Sequence, residues 1–329
     1  MKTLVSILIP CYNAKKWLAE TLESALSQTW ENIEIILVDD GSTDGSLAIA
    51  QQFESSKVKV ISQLNQGASI ARNLALKQAQ GEFIQYLDAD DLLSPRKIED
   101  QVLLLQQSPA QMLAICGTVH FFDGQNPDNG IYEAGFPLLV DSDTPIGWLL
   151  NLFGANNNMA GMVHPAAWLT PRQVADVAGV WDESLSLDDD GEYFARVVLT
   201  SNGIRRSDTA LSYYRRYTTA ISLSCQSSER HHLSALRAVD SKAHNILKLT
   251  NSAIAKKVLA RAYMDRAILS YPDYPLISDL ALKKVQEMGG TNWLPTMGGK
   301  QTELIKKLFG WKMARMINVS YRRFFRGKH

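Results

Sequence analysis

Ile33-Glu34-Ile35-Ile36-Leu37-Val38 is an apolar run interrupted only by Glu34, and it ends in Asp39-Asp40-Gly41-Ser42. A short apolar run closed by a polar, glycine-containing turn predicts a strand covered on both faces, as in a parallel sheet. The same pattern continues outward from it in both directions. Upstream, Leu4-Val5-Ser6-Ile7-Leu8-Ile9 predicts a first strand ended by Pro10, and Trp17 to Gln28 carries apolar residues at helical spacing. Downstream, Ser46 to Phe53 predicts a helix, Val58 to Ile61 a strand, and Ala68 to Gln80 a helix with Gly81 at its C-cap. Glu82 to Leu87 is then a strand running into Asp88-Ala89-Asp90-Asp91, and a helix follows from Pro95 to Gln107. This repeated strand–helix order predicts an α/β fold with a mostly parallel sheet flanked by helices. Ligands of such sheets bind beyond the carboxyl ends of the strands. Pro10-Cys11-Tyr12-Asn13, Asp39-Asp40-Gly41-Ser42 and Asp88-Ala89-Asp90-Asp91 all fall at such ends.

The rest of the chain is read more coarsely. From about 110 to 225 the pattern is mixed, with strands expected at Leu113 to Phe122 and Ala210 to Tyr217. Between them, the Gly/Asn/Pro-rich stretch Asp123 to Asn158 is expected to be a long binding loop. From about 227 the chain is expected to be helical, at His231 to Leu249 and Ile254 to Leu269.

At 329 residues, 46% hydrophobic and 21% charged, the chain can bury enough apolar surface to fold. Its net charge of zero argues against a nucleic-acid partner. That neutrality hides a polarity, however. Residues 300–329 hold nine Lys/Arg against Glu303 alone, a net +8, which leaves −8 on the other 299. Cys11, Cys116 and Cys225 are odd in number and far apart, so neither a disulfide framework nor a cysteine zinc site is expected. The first apolar run is too short for a signal peptide, and no stretch reaches the roughly 18 apolar residues of a membrane span. A soluble or peripheral protein in the cytoplasm is expected.

Asp88-x-Asp90 at a strand end is a hard oxygen site suited to Mg²⁺ or Mn²⁺, which takes further ligands from water and from substrate phosphates. A nucleoside diphosphate is the natural partner of such a site. The competing reading is a polar loop in which Asp91 or Ser94 caps the helix beginning near Pro95. Asp188-Asp189-Asp190 precedes another apparent helix, where the helix dipole favours acids in any case.

Val5 to Asn13, Glu34 to Asp44, Asn65-Gln66-Gly67, Ala71-Arg72-Asn73 and Gly81 to Asp91, taken in that order, resemble glycosyltransferase family 2. The likeness is strong over residues 3–100, weaker over 160–220 and absent beyond about 226. It implies the GT-A fold with a helical C-terminal extension. The catalytic domain would be 1–226, with a donor half at 1–107 and an acceptor half at 108–226. Residues 227–329 would form a helical region ending in a basic amphipathic tail. The resemblance places Pro10 and Tyr12 against the nucleotide base and ribose, and has Asp40 accept hydrogen bonds from the base. Asp39 would support the turn, Arg72 would position the donor, Asp88 would approach ribose and metal, and Asp90 would ligate the cation.

Val180 to Leu185 followed by Asp189 to Arg196 resembles the family's acidic stretch before a helix. That match makes Asp190 the catalytic base, with Asp189 the next candidate and Asp188 a third. Tyr213-Tyr214-Arg215-Arg216 resembles a Tyr-Arg element whose arginine contacts phosphate. The implied reaction is metal-dependent, inverting transfer from a nucleotide sugar, typically a UDP-sugar, to a hydroxyl of a saccharide, glycolipid or protein acceptor. Polysaccharide or glycoconjugate synthesis at the cell surface is the setting it suggests.

Two other readings compete with transfer. One is a phosphatase of the haloacid dehalogenase type with Asp88 as nucleophile, which leaves Asp39 to Ser42 unexplained. The other is an inactive nucleotide-sugar-binding scaffold. In the tail, Ile305, Phe309, Met313, Met316, Ile317, Tyr321, Phe324 and Phe325 lie near one helical face. Such a helix either touches the cytoplasmic face of an anionic membrane or packs on the protein with its basic face in water.

Overall fold

The computed structural model describes residues 3–132, 139–156, 160–217 and 228–326. Cys225, Asn158, Lys328 and the side chains of Arg322, Arg323, Phe324, Phe325 and Arg326 lie outside that description. The chain divides into two compact units, Met1–Leu152 with Ala160–Cys225, and Phe153–Met159 with Gln226–His329.

In the first unit, β1 (Val5–Cys11), α1 (Leu18–Leu26), β2 (Ile33–Asp40), α2 (Ser46–Gln52), β3 (Val58–Gln63), α3 (Ala68–Gln78) and β4 (Phe83–Tyr86) alternate. The pairings β1–β2, β2–β3 and β1–β4 are all parallel, as the repeated strand–helix order requires. Ile7, Ile9, Ile35 and Leu37 form the core of this half with Leu18 and Leu22 of α1.

In the second half of the unit the pairing becomes mixed. This half comprises β5 (Leu92–Leu93), α4 (Lys97–Gln106), β6 (Met112–Phe122), β7 (Ile131–Tyr132), α5 (Pro145–Leu152), β8 (Trp168–Pro171), α6 (Arg172–Ala178), α7 (Asp189–Thr200) and β9 (Gly203–Arg216). Among the described residues the sheet runs β3-β2-β1-β4-β8-β6-β9-β5, with β7 on β6. Strand β8 is antiparallel to both β4 and β6, whereas β9 is parallel to β6.

Several local expectations change. Gly81 does not cap α3, which is closed by Ala79, whose N–H donates to the Ala75 and Leu76 carbonyls. Gly81 is there because the chain passes close to β1: a Cβ would lie 2.6 Å from the Ser6 nitrogen. Strand β9 begins at Gly203, seven residues before Ala210, because the polar run Arg205 to Asp208 hides its first half. The stretch Asp123 to Asn158 is not all loop, since Pro145–Leu152 form α5 and bury Trp148, Leu149, Leu150 and Leu152. Neither Asp91 nor Ser94 caps α4 with its side chain. Asp91 accepts the Arg215 N–H at 2.9 Å, and Ser94 Oγ accepts the Leu211 N–H at 3.1 Å. Both fasten β9 to the acidic turn instead.

The second unit is helical: α8 (Glu229–Leu249), α9 (Ala253–Ser270), α10 (Pro275–Glu287) and α11 (Lys300–Arg326). Ser228 and His231 form a capping box on α8, and Ser252 caps α9 by accepting the Ala255 N–H. Tyr263 donates to Asp240 at 2.8 Å, and Ser278 donates to the Ala267 carbonyl at 2.8 Å, tying α8 and α10 to α9. Gly310 (φ 82°, ψ 167°) breaks α11 into two segments.

Candidate active site

Three strand ends meet at one edge of the sheet. Pro10 is buried near the end of β1, and beyond it Tyr12 is 53% exposed, so its ring is open to a ligand. Asn13 takes a left-handed conformation (φ 51°), and its side chain accepts the Thr43 N–H at 2.8 Å. That bond ties the end of β1 to the turn after β2. Gly41 is required in the turn, because its φ is +71° and a Cβ would lie 2.7 Å from the Asn65 nitrogen.

The two acids ending β2 are engaged differently. Asp40 Oδ1 accepts from Gln63 Nε2 at 2.7 Å and Gln66 N at 2.9 Å, and Oδ2 accepts from Gly67 N at 2.8 Å. This carboxylate fastens the Asn65-Gln66-Gly67 loop through three of its roughly four acceptor positions. Asp39 accepts the Ser42 N–H through Oδ2, at 3.3 Å, while its Oδ1 is buried with no hydrogen-bond partner among the described residues. A buried, unpaired carboxylate oxygen is costly and marks a place for a donor. Asp39 lies opposite Cys11, and burial, then the Asp39 charge, pushes that thiol up to about 12. Cys11 is therefore no nucleophile.

Helix α3 supplies the residues that join the two halves. Arg72 is buried, with its guanidinium 4.4 Å over the Trp181 ring. Its Nη2 donates to Asp88 Oδ1 at 2.9 Å, and its Nη1 donates to Asp189 Oδ2 at 2.9 Å. Burial opposes the Arg72 charge, but Asp88 and Asp189 outweigh it and hold the group above its ordinary value. Asn73, the next residue, donates to the Trp181 carbonyl at 3.0 Å and accepts the Trp181 N–H at 2.8 Å. The Ala71-Arg72-Asn73 motif thus brings Asp88, 101 positions away in sequence, beside the acids that open α7.

Those acids are not equivalent. Asp188 caps α7 in the left-handed region (φ 62°). Asp189 is engaged by Arg72 and by Ser69 Oγ at 3.0 Å. Asp190 accepts the Gly191 N–H at 2.7 Å, and burial, with the charges of Asp189 and Asp188, pushes its carboxyl up to about 6. A carboxylate with that affinity for protons is poised to accept one near neutral pH.

Asp88 is half-buried, as is Asp90, whose Oδ2 accepts from the Tyr217 hydroxyl at 2.5 Å. Burial, then the neighbouring Asp88 charge, raises Asp90; burial, Asp90 and Asp88 raise the fully buried Asp91 well above the carboxylate range. Acids crowded in this way suit a divalent cation. No group of three or more metal-ligating side chains gathers among the described residues. A cation held by Asp88 and Asp90 would therefore complete its shell with water and diphosphate oxygens, as Mg²⁺ usually does.

Arg215 is not open to a phosphate. It donates to Glu20 at 2.6 Å and to the Asp90 carbonyl at 2.8 Å, with Asp123 3.5 Å away. Trp148, Trp168 and Trp181 are core residues, and Trp181 stacks on Tyr193. Sequence reasoning missed Tyr217, which packs on Trp17 and holds Asp90, and it missed that His120 and His164 gather around Tyr214. His120 on β6 and Tyr214 on β9 meet only because those strands pair, and Tyr217 follows directly from the end of β9.

The sequence profile described as Glycosyl transferase family 2 matches residues 6–169. The glycosyltransferase GlyG of Streptococcus pneumoniae is 37% identical over 144 residues, which are 43% of this chain and 47% of that protein. The chain thus spans less than half the length of that relative. WfaP of Escherichia coli, a UDP-Glc:alpha-D-GlcNAc-diphosphoundecaprenol beta-1,3-glucosyltransferase, is 30% identical over 74% of this chain and 89% of its own length. TarS residues 1–349 of S. aureus, solved with UDP, superpose with a TM-score of 0.62 at 21% identity, covering 86% of this chain and 88% of that one.

Proposed function

Because the chain belongs to glycosyltransferase family 2 and has the GT-A fold, we propose that it moves a sugar, with inversion, from a UDP-sugar to a hydroxyl of a saccharide acceptor. The observation that carries this reading is the Arg72 fork. It holds Asp88 of the donor motif and Asp189 within reach of one guanidinium, and so sets Asp190 beside the place where a donor sugar would lie.

Each group has a step. Tyr12 offers its ring to the uracil, Pro10 shapes the strand end beneath it, and Asp39, rather than Asp40, accepts the base N–H. Mg²⁺ or Mn²⁺ held by Asp88 and Asp90 would supply charge neutralisation for the diphosphate. Asp190 takes the proton of the acceptor hydroxyl as its oxygen attacks the anomeric carbon. The bond to UDP breaks on the opposite face, so one displacement inverts the configuration and no covalent enzyme intermediate forms. Arg72 acts as a positioning residue, because both of its terminal nitrogens are engaged by carboxylates. A lipid-linked saccharide is the acceptor class we favour, on the strength of WfaP, which matches over most of its length. The phosphatase reading loses its ground, since it gives no role to Asp39, Asp190 or the Arg72 fork.

The test is thermal and kinetic. UDP with Mn²⁺ should raise the melting temperature, whereas either alone should raise it little. Asp90→Asn should abolish the joint shift and most metal-dependent hydrolysis of UDP-sugars while keeping the fold. Full turnover after chelation of metal, or an unchanged joint shift in Asp90→Asn, would refute the metal assignment.

A further inference from the structure

The second segment of α11 is mounted inside out. Toward its own unit it presents Ala314, fully buried, with Arg315 and Asn318. Arg315 Nε donates to the Ile268 and Tyr271 carbonyls, both at 3.1 Å, and Asn318 donates to the Met297 carbonyl. Arg315 thereby serves the unpaired carbonyls at the end of α9, where a cation also meets the helix dipole favourably. Trp311 packs edge-on against Tyr271. The docked face is therefore the polar one.

The opposite face is apolar and faces outward. Met313, Met316 and Ile317, at helical spacing, are each about 40% exposed. Before the break at Gly310, Leu304, Leu308 and Phe309 are 57%, 64% and 68% exposed. Amphipathic helices of globular proteins normally turn such a stripe inward. Here six large apolar side chains stand in water along one element, amid the +8 of residues 300–329. Lys300 and Lys307 are exposed beside them, whereas Lys312 turns to Asp279, 3.5 Å away, on the docked side. No helix among the described residues is long and apolar enough to cross a membrane.

We propose that α11 is a membrane-surface element whose outward apolar stripe enters the headgroup region of a bilayer rich in anionic phospholipid. The lysines would reach up to the phosphates from their apolar stems. The charge selects the occupant: a neutral apolar partner would leave a net +8 unmatched, whereas an anionic bilayer matches both the stripe and the sign. The inference rests on α11 alone and stands apart from the catalytic reading.

The full-length chain is sedimented with vesicles of phosphatidylcholine and with vesicles enriched in phosphatidylglycerol, at low salt. Binding to the second and little to the first is expected. Lys307→Gln should weaken partition about fivefold, the share of one basic side chain near an anionic surface. Phe309→Glu and Ile317→Glu should weaken it at least about tenfold, since each replaces buried apolar area with a charge the lipid repels. Melting temperatures are read alongside and should not move, because these side chains touch water. Equal binding to neutral vesicles, or none to anionic ones, would overturn the proposal. So would a dimer in solution that Ile317→Glu dissociates, since a second copy would then cover the stripe.

Discussion

Asp190, the proposed base, would serve chemistry at the expense of stability. Its folded-state affinity for protons is raised to about 6, above the ordinary carboxylate value. A base acts deprotonated, so transfer should rise with pH through about 6 and level off above it. For stability the sign is the reverse. The folded state binds the proton more tightly than the unfolded chain does, so the contribution is present at low pH and is lost as pH rises through about 6. Ionised Asp190 at neutral pH therefore costs on the order of 1–3 kcal/mol. Asp190→Asn should lose about 10²–10⁴-fold in transfer yet melt higher than the parent at pH 7.5, with UDP affinity preserved. A variant that is both active and no more stable would show the acid to be a helix cap only. Asp39 and Asp40 make the complementary point: adjacent and identical in type, they differ because one carboxylate is saturated by a loop and the other is not.

Helix α3 is the element on which the site depends. It lies between β3 and β4, yet Arg72 and Asn73 hold the turn at Trp181 and the helix start at Asp189. A planar fork stacked on Trp181 presents a separate nitrogen to each carboxylate, whereas an ammonium offers one nitrogen and no face to stack. Arg72→Lys should therefore lower turnover at least about tenfold and cost about 1–3 kcal/mol in urea unfolding, the expense of leaving one carboxylate short of its partner. A lysine variant with parental turnover would mean that the fork is not what sets Asp88 against Asp190. Strand β9 does similar work from the other side. Its end places Arg215 under the Asp90 carbonyl and, two residues later, Tyr217 on the Asp90 carboxylate.

For the molecule as a whole, charge is distributed rather than absent. With +8 on residues 300–329 and −8 elsewhere, attraction to an anionic bilayer should act at α11 and be screened by salt. Raising ionic strength from about 0.05 M to about 0.5 M should release bound protein from phosphatidylglycerol vesicles, and retention at the higher salt would mean that apolar contact alone holds it. The stretch from β1 to β4 was legible because each of its signals is local. Apolar runs of strand length, glycine turns and acids at strand ends need only neighbours in sequence, and they gave β1 to β4 and the acidic edge. The half between β5 and β9 was not, because polar residues such as Arg205 and Arg206 stand in a strand whose partner is far off in sequence. Likewise, Asp39 could not be told from Asp40 until the Asn65-Gln66-Gly67 loop folded over one of them. The amphipathic pattern of α11 was written in the sequence, but its orientation was not. Composition fixes that a helix has an apolar face, and only the carbonyls at the end of α9, by claiming Arg315, decide that this face turns outward.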